Sequence, residues 1–198
     1  KSVAIGDSDK LKKQYSPRQE ITLENHVLIP GLINAHGHTP MSLFRGYADD
    51  MALRPWLEDK IWPAEAQWVS EEFVRDGATL AIAEMLRSGT TSFTDMYFFP
   101  DEVAKVSLKS NIRAMLAAPV LDFPTVWAQD ADEYIRKATE LNDRYKNNNH
   151  IEVAFGPHAP YTVSDEPLRH ISTLANELDI PIHIHIHENA HEVEEAVK

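Results

Sequence analysis

The sequence predicts an α/β fold with a parallel sheet, because strand patterns alternate with helix patterns from residue 30 to the end. About five strands are expected in this stretch, each followed by a helix. An eight-unit barrel takes about 250 residues, so five units would make a partial (β/α)8 TIM-type barrel with strands 1–5. An open doubly wound sheet fits the same count. The sequence has no glycine-rich phosphate loop that would indicate a nucleotide-phosphate site.

Start and stop signals delimit the predicted elements. Ser70 precedes a helical pattern and Gly89 follows it, so a helix is expected over residues 70–87. The remaining pattern predicts strands at 90–95, 112–121, 151–155 and 182–187, and helices at 101–109, 131–145, 164–178 and from 192 onward. Before Pro30, the alternation over residues 21–29 predicts one or two strands of a small sheet. Residues 1–29 are too few to form a domain alone.

Charge and hydropathy exclude two classes of partner. The net charge is −12, whereas a protein that binds nucleic acid needs a basic face, so no nucleic acid is expected. The sequence has no run of about 18 apolar residues, so no membrane partner is expected either.

The sequence contains no cysteine and ten histidines. Disulfides, thiolate nucleophiles and cysteine-based zinc sites are therefore excluded, and any metal must be held by His, Asp or Glu. This also excludes the polynucleotide deaminase fold, whose zinc needs cysteines. The composition is compatible with a cytoplasmic protein, which is the expectation.

Two histidines lie just after the apolar stretch at residues 27–33. In His36-Gly37-His38, residues two apart point to the same side of an extended backbone, so both imidazoles can reach one metal ion. The pair falls at the carboxyl end of a predicted strand, where barrel enzymes carry their catalytic residues.

A second histidine cluster lies in the last predicted strand. Alternation would place His183, His185 and His187 on one face, and burying three imidazoles without a metal or partners is costly. A solvated edge strand is the alternative. Glu188 would lie near a metal held by His185, where a carboxylate can carry a proton between water and substrate.

His158 lies just after the carboxyl end of the predicted strand at 151–155. For this histidine, contact with a substrate is favoured over a structural role. His26, His150, His170 and His191 lack such placement and are interpreted as surface or packing residues.

Several motifs resemble the amidohydrolase superfamily. The segment from Pro30 to His38 is similar to its first-strand signature. Further segments resemble the branch of methylthioadenosine/S-adenosylhomocysteine deaminases, close to the chlorohydrolase-type enzymes; they are MSLFRGYADD at 41–50, WL with IWPAE at 56–65, GTT with DMY at 89–97, and GPHAPY at 156–161.

The resemblance implies a metal site and a proton carrier. His36 and His38 would be the first two zinc ligands, and His185 the third, because the family places this ligand three residues before its catalytic glutamate. That glutamate would be Glu188. One zinc ion is expected, with iron or manganese as alternatives. His183 and His187 would support the ligands or pack around them.

The resemblance also implies a substrate, a purine nucleoside. His158 would contact the purine, Glu65 the ribose hydroxyls, and Trp56 would line the pocket. The expected reaction is hydrolytic deamination of 5′-methylthioadenosine or S-adenosylhomocysteine to the inosine analogue and ammonia. Alternatives are another hydrolase on the same scaffold, acting on guanine, cytosine or a triazine, or a non-catalytic metal-binding fragment. Whether the protein forms a homo-oligomer is left open.

In the family, a further His and an Asp of the metal site lie on later strands, beyond residue 198. Residues 1–29 would be the remnant of an N-terminal β-sandwich domain, and residues 30–198 the first part of the barrel. These 198 residues alone are therefore expected neither to close the barrel nor to turn over substrate, and their last strand would offer an unpaired edge.

Overall fold

The computed structural model describes residues 4–196. The chain divides into two compact units, Lys1–Pro30 and Gly31–Lys198.

The first unit contains one helix, α1 (Ser8–Gln14). The Asp7 side chain accepts a hydrogen bond from the Lys10 backbone N–H at 3.1 Å and so caps its start. No residue of α1 is buried. The prediction of strands over residues 21–29 is wrong, since these residues form a coil with a turn at Glu24 and Asn25. A strand needs a neighbouring ladder, and the described residues of this unit supply none.

The second unit is built on a parallel sheet of four neighbouring strands in sequence order, as the alternation predicted. The strands are β1 (Leu32–Asn34), β2 (Thr90–Asp95), β3 (Arg113–Val120) and β4 (Ile151–Pro157). Their register aligns Asp95 with Leu116 and Leu116 with Val153. The carboxyl ends of all four strands therefore meet at one edge of the unit.

The helices that follow these strands confirm the predicted alternation. They are α4 (Glu71–Arg87), α5 (Pro100–Ser110), α6 (Ala131–Tyr145) and α7 (Asp165–Leu178), and a short α8 (Ala190–Glu195) follows. Ser70 caps α4 by accepting a bond from the Phe73 N–H, and Gly89 ends it with a φ of +87°. Among the described residues no helix is long and apolar enough to cross a lipid bilayer.

One face of the sheet is packed against α4–α7 and forms the main core. Burying a large apolar side chain contributes about 1.5–3 kcal/mol, so this face carries most of the stability. Its fully buried members include Val74, Ile82, Phe93, Val103, Leu116, Tyr134, Phe155 and Ile171. The opposite face carries a smaller cluster of Met96, Ala117 and Ala154, with Met115 against it.

Helical turns between β1 and α4 form a wall that the sequence did not predict. A 3-10 helix (Thr39–Phe44) comes first, then α2 (Leu53–Trp56), a π-helical turn (Leu57–Ile61) and α3 (Trp62–Trp68). The 3-10 helix packs on α4 at Gly77, where a Cβ atom would lie 2.4 Å from the Pro40 carbonyl oxygen. Only glycine permits this approach.

The predicted fifth strand is reduced to a single bridge between Ile182 and Phe155. Pro181 O accepts a bond from Phe155 N, and His183 N donates to Phe155 O. One further bond, from His185 N to His158 O, continues the pairing past the end of β4. The backbone then departs, since His187 has a φ of +60°. The segment lies along β4 but is too briefly paired to form a strand.

Candidate active site

His36 and His38 are positioned by the loop that follows β1. This loop is bonded to the end of β2: Met96 N donates to Gly37 O at 2.9 Å, and His38 Nδ1 lies 2.6 Å from Met96 O. Because a carbonyl oxygen only accepts, Nδ1 of His38 carries the proton. Its Nε2 is then left with a free lone pair for a metal ion.

His185 is oriented in the same way from the opposite side. His158 follows β4, and its carbonyl oxygen accepts bonds from both the backbone N and Nδ1 of His185, at 3.1 and 2.9 Å. Nδ1 of His185 is therefore also the protonated nitrogen, and Nε2 is free.

The three Nε2 atoms converge on one point. Nε2 of His36 lies 3.3 Å from that of His38 and 3.1 Å from that of His185, and the last two are 3.3 Å apart. Two nitrogens bound to one tetrahedral zinc ion at about 2.0–2.1 Å would lie about 3.4 Å apart. Among the described residues, these three histidines form the group whose ligand atoms lie close enough together to hold a metal ion. The donor set fits zinc.

His183 joins this group through His36. Its Nε2 lies 2.7 Å from Nδ1 of His36, and the two rings stack with centroids 5.0 Å apart. Nδ1 of His36 thus contacts another imidazole, whereas Nδ1 of His38 and of His185 contacts a backbone carbonyl oxygen. His187 does not share this face, because its positive φ turns the backbone away after Ile186. The expectation that His183, His185 and His187 share one face is wrong for His187.

Three histidines of this site, His36, His38 and His158, have lowered pKa values. Burial lowers the pKa of His36 to about 4, helped by the nearby His38, His185 and His183 imidazoles. Burial also lowers the pKa of His38, and that of His158 to about 3. The pKa values of His36 and His158 lie well below neutral pH. The uncharged imidazole, which is the form that binds metals, therefore predominates at pH 7.

An apolar cavity of about 390 Å³ opens beside the cluster. His38, His158, His185 and Glu188 are among its lining residues. The helical turns after β1 and the loop after β3 supply others, including Trp56, Leu57, Trp62, Glu65 and Phe123. Six of the seven predicted site residues thus line one cavity, and His36 completes the metal cluster behind it.

The polar groups of this cavity have distinct surroundings. The Trp56 indole N–H donates to Ala48 O at 3.0 Å, which fixes its ring against the wall. Burial raises the pKa of Glu65 to about 7. His158 Nδ1 lies 2.8 Å from the Thr162 hydroxyl oxygen, so its Nε2 is left for other contacts.

Glu188 is exposed, and two side chains hold it. The Tyr161 hydroxyl donates to Glu188 Oε2 at 2.6 Å. The buried Glu192 carboxylate accepts the N–H groups of His187 and Glu188 at 2.6 and 2.9 Å and so fixes the turn. No separate feature of the sequence indicated Tyr161. Glu192 was detectable as the residue three positions after Asn189, whose side chain caps α8.

The remaining histidines lie outside the Nε2 triangle. His26, in the first unit, has Nδ1 2.6 Å from Glu24 O. His150 and His170 lie near the opposite end of β4 and on α7, and His191 lies on α8. Their interpretation as surface or packing residues agrees with the exposure of three of them, His26, His170 and His191.

Comparison with known families agrees with this geometry. The model of the amidohydrolase family matches residues 27–198. The chain belongs to the amidohydrolase family. The expected resemblance is therefore confirmed over most of the sequence.

Similar amidohydrolases include named deaminases. The chain is 51% identical over 195 residues to the 5-methylthioadenosine/S-adenosylhomocysteine deaminase of Saccharophagus degradans, covering 98% of this chain and 44% of that protein. It is 43% identical over 187 residues to the 5′-deoxyadenosine deaminase of Methanocaldococcus jannaschii, covering 92% and 43%. The chain thus spans less than half the length of these curated relatives.

A solved structure gives the same picture. The adenosine deaminase from Xanthomonas campestris, determined with bound zinc, superposes with a TM-score of 0.82 at 51% identity. The match covers 85% of this chain and 38% of that one. The parallel sheet with its covering helices is therefore the fold of this part of an amidohydrolase.

Proposed function

We propose that this chain carries the zinc site and part of the substrate pocket of an enzyme that hydrolytically deaminates adenine nucleosides. The observation that carries the proposal is the triangle of Nε2 atoms, 3.1–3.3 Å apart, beside an apolar cavity that also contains a carboxylate. The relatives named as deaminases of 5-methylthioadenosine, S-adenosylhomocysteine and 5′-deoxyadenosine support this substrate class.

His36, His38 and His185 would hold the zinc ion through Nε2. A zinc ion held by these histidines would act as a Lewis acid and would lower the pKa of water toward about 7. The lowered pKa of His36 and His38 keeps their lone pairs free at neutral pH. The contacts at Nδ1 of all three rings fix which nitrogen faces the ion.

The purine would lie in the cavity with its C6 toward the histidines. Hydrolysis adds water to C6 and breaks the C6–N bond, so the products are the inosine analogue and ammonia. Glu188 is proposed to carry a proton to the ring nitrogen next to C6 and then to the leaving amino group. Tyr161 would orient the Glu188 carboxylate through their 2.6 Å hydrogen bond.

The rest of the nucleoside would meet the wall opposite the histidines. Trp56 would contact it through its ring, and Glu65 would accept bonds from the ribose hydroxyls. His158 would contact the base through the nitrogen that does not contact Thr162. The wall is predominantly apolar, which suits a purine and a methylthio or deoxy substituent better than a charged group.

We further infer that the four-stranded sheet is part of a (β/α)8 barrel and that residues 1–29 are the remnant of a β-sandwich domain. The four parallel strands with helices on one face and a site at their carboxyl ends support the barrel. A cytoplasmic location and a homo-oligomer also stay proposals.

The proposal is tested on the natural polypeptide that contains this chain, loaded with zinc. Ammonia release is measured with 5′-methylthioadenosine, S-adenosylhomocysteine, 5′-deoxyadenosine and adenosine, and with guanine, cytosine and a chlorotriazine. Turnover that is highest on an adenine nucleoside is expected. Highest turnover on guanine, cytosine or the triazine would replace the proposed substrate. Equimolar zinc with no ammonia from any compound would favour a metal-binding role without catalysis.

A further inference from the structure

Asp95 is a buried carboxylic acid to which the proposed reaction assigns no role. It is the last residue of β2, and its side chain lies against the loop that carries His36 and His38. Only 1% of its surface is exposed. Burying a carboxyl group is costly unless the group is hydrogen-bonded. Its Oδ1 atom accepts the Thr39 backbone N–H at 2.5 Å.

The Thr39 N–H is the first donor of the 3-10 helix Thr39–Phe44. At a helix start such donors lack partners within the helix, and the side chain of the preceding residue commonly accepts one of them. Here the preceding residue is His38, which makes no capping bond. Its ring contacts Met96 O through Nδ1 and the other imidazoles through Nε2. Asp95, from the neighbouring strand, supplies the acceptor in its place.

Asp95 and the next residue, Met96, together hold three consecutive residues of the loop. Met96 N bonds Gly37 O, Met96 O bonds the His38 ring, and Asp95 bonds Thr39 N. The first two bonds use backbone atoms of Met96, which most residue types at position 96 would preserve. The third depends on a side chain.

We propose that Asp95 is a positioning residue of the metal site, which caps the helix after His38 and thereby leaves the His38 imidazole available for the ion. The inference rests on the proposed zinc site. Asp95 itself does not coordinate the ion; it acts through the backbone on either side of His38. Contacts made directly to a ligand side chain change metal affinity about 10–100-fold when lost, and we expect a loss of that order when the residue next to the ligand is released.

The test is the zinc dissociation constant of the natural protein, measured by competition with a chromophoric chelator after metal removal. Asp95→Ala removes the acceptor and is expected to weaken zinc binding about 10–100-fold. Asp95→Asn keeps a carbonyl oxygen for the Thr39 N–H and is expected to stay within about threefold of wild type. The contrast between these variants separates the hydrogen bond from the negative charge.

A matched control accounts for general destabilisation. Val103 is fully buried on α5 in the main core, and Val103→Ala leaves a packing defect there while keeping every hydrogen bond of Asp95 and Met96 to the loop. It is expected to lower the melting temperature and keep the zinc affinity. If Asp95→Ala does not fold, Asp95→Glu displaces the carboxylate by one methylene group and is expected to weaken zinc binding at least tenfold.

The inference is overturned if Asp95→Ala binds zinc within threefold of wild type. If the alanine variant does not fold, the same result in Asp95→Glu overturns it. An equal loss in Val103→Ala, or a loss in Asp95→Asn as large as that in Asp95→Ala, also overturns it. A wild-type protein that does not bind zinc would overturn it together with the metal site. Zinc binding without release of ammonia from any nucleoside would remove only the proposed reaction.

Discussion

The two sides of the histidine cluster are supported very differently. His38 is bonded to the end of β2, and buried Asp95 holds the residue after it. His185 lies on a segment joined to β4 by one bridge, and Glu188 beyond it is exposed. The first side is therefore held by a strand of the sheet and a buried side chain. The second side depends on a few hydrogen bonds between side chains and backbone. Metal binding should therefore be sensitive on both sides, and proton transfer on the second alone.

The largest expected effect separates proton transfer from metal binding. Glu188→Gln keeps the size of the side chain and its bond from Tyr161 but removes the group that carries the proton. Turnover of the adenine nucleoside should fall about 10²–10⁴-fold while the zinc content stays at the wild-type level. Ammonia release and metal analysis on the same sample measure both. Near-normal turnover would exclude Glu188 as the proton carrier.

The next effect compares two histidines on the same segment. His183→Ala removes the contact at Nδ1 of His36 and should weaken zinc binding about 10-fold or more. His187→Ala, four residues on, serves as the control and should change the affinity less than twofold, because its backbone turns away from the cluster. Equal zinc affinities for the two variants would show that the contact between His183 and His36 does not support the metal site.

A smaller effect is expected from the turn that carries Glu188. Glu192→Gln replaces one of the two oxygens that accept the N–H groups of His187 and Glu188. The kcat should fall about 5–10-fold through the misplaced Glu188 carboxylate, with the zinc affinity unchanged. Glu194→Gln, on the exposed side of α8, is the matched control and should leave kcat unaltered. Reduced zinc affinity in Glu192→Gln would mean that the two sides of the cluster are not independent.

The smallest effect concerns the stability of the metal-free protein at low pH. The pKa of His158 is about 6.5 in an unfolded chain and about 3 in the fold. As the pH falls below 6.5, the unfolded chain therefore binds a proton at this residue and the folded chain does not. This lowers the free energy of unfolding, whereas above pH 6.5 the residue has little effect. His158→Gln should therefore reduce the loss of unfolding free energy between pH 7.5 and 5 by about 1–2 kcal/mol. Denaturant titrations at both pH values measure this, with His170→Gln on exposed α7 as the control. An unchanged pH dependence would contradict the lowered pKa.

The regular elements and two of the three candidate metal ligands were predictable from the sequence for the same reason. Apolar periodicity and caps such as Ser70 are local signals, and they gave the helices and the four strands. His36 and His38 were detectable because two residues apart on an extended backbone is also a local relationship. His185 could be singled out from its neighbours only through the family resemblance.

Other features depend on contacts between distant residues and had no local signal. The bond from Asp95 to Thr39 joins residues 56 positions apart, and no local pattern in the sequence indicated it. The predicted strand at 182–187 fails because strand formation depends on pairing, and β4 pairs with it only briefly. The predicted strands at 21–29 fail for the same reason, since alternation describes a face but not a neighbour.

The segment beside β4 also affects how this protein has to be handled. Ile182 and Ile186 are 45% and 56% exposed, on a stretch with free backbone donors and acceptors. Apolar, partly unpaired stretches of this kind recruit other chains, so concentrated preparations of residues 1–198 should form oligomers through this segment. Co-expression with a polypeptide that supplies the next parallel strand should suppress them. Size-exclusion chromatography of the chain with and without such a partner would reveal the difference.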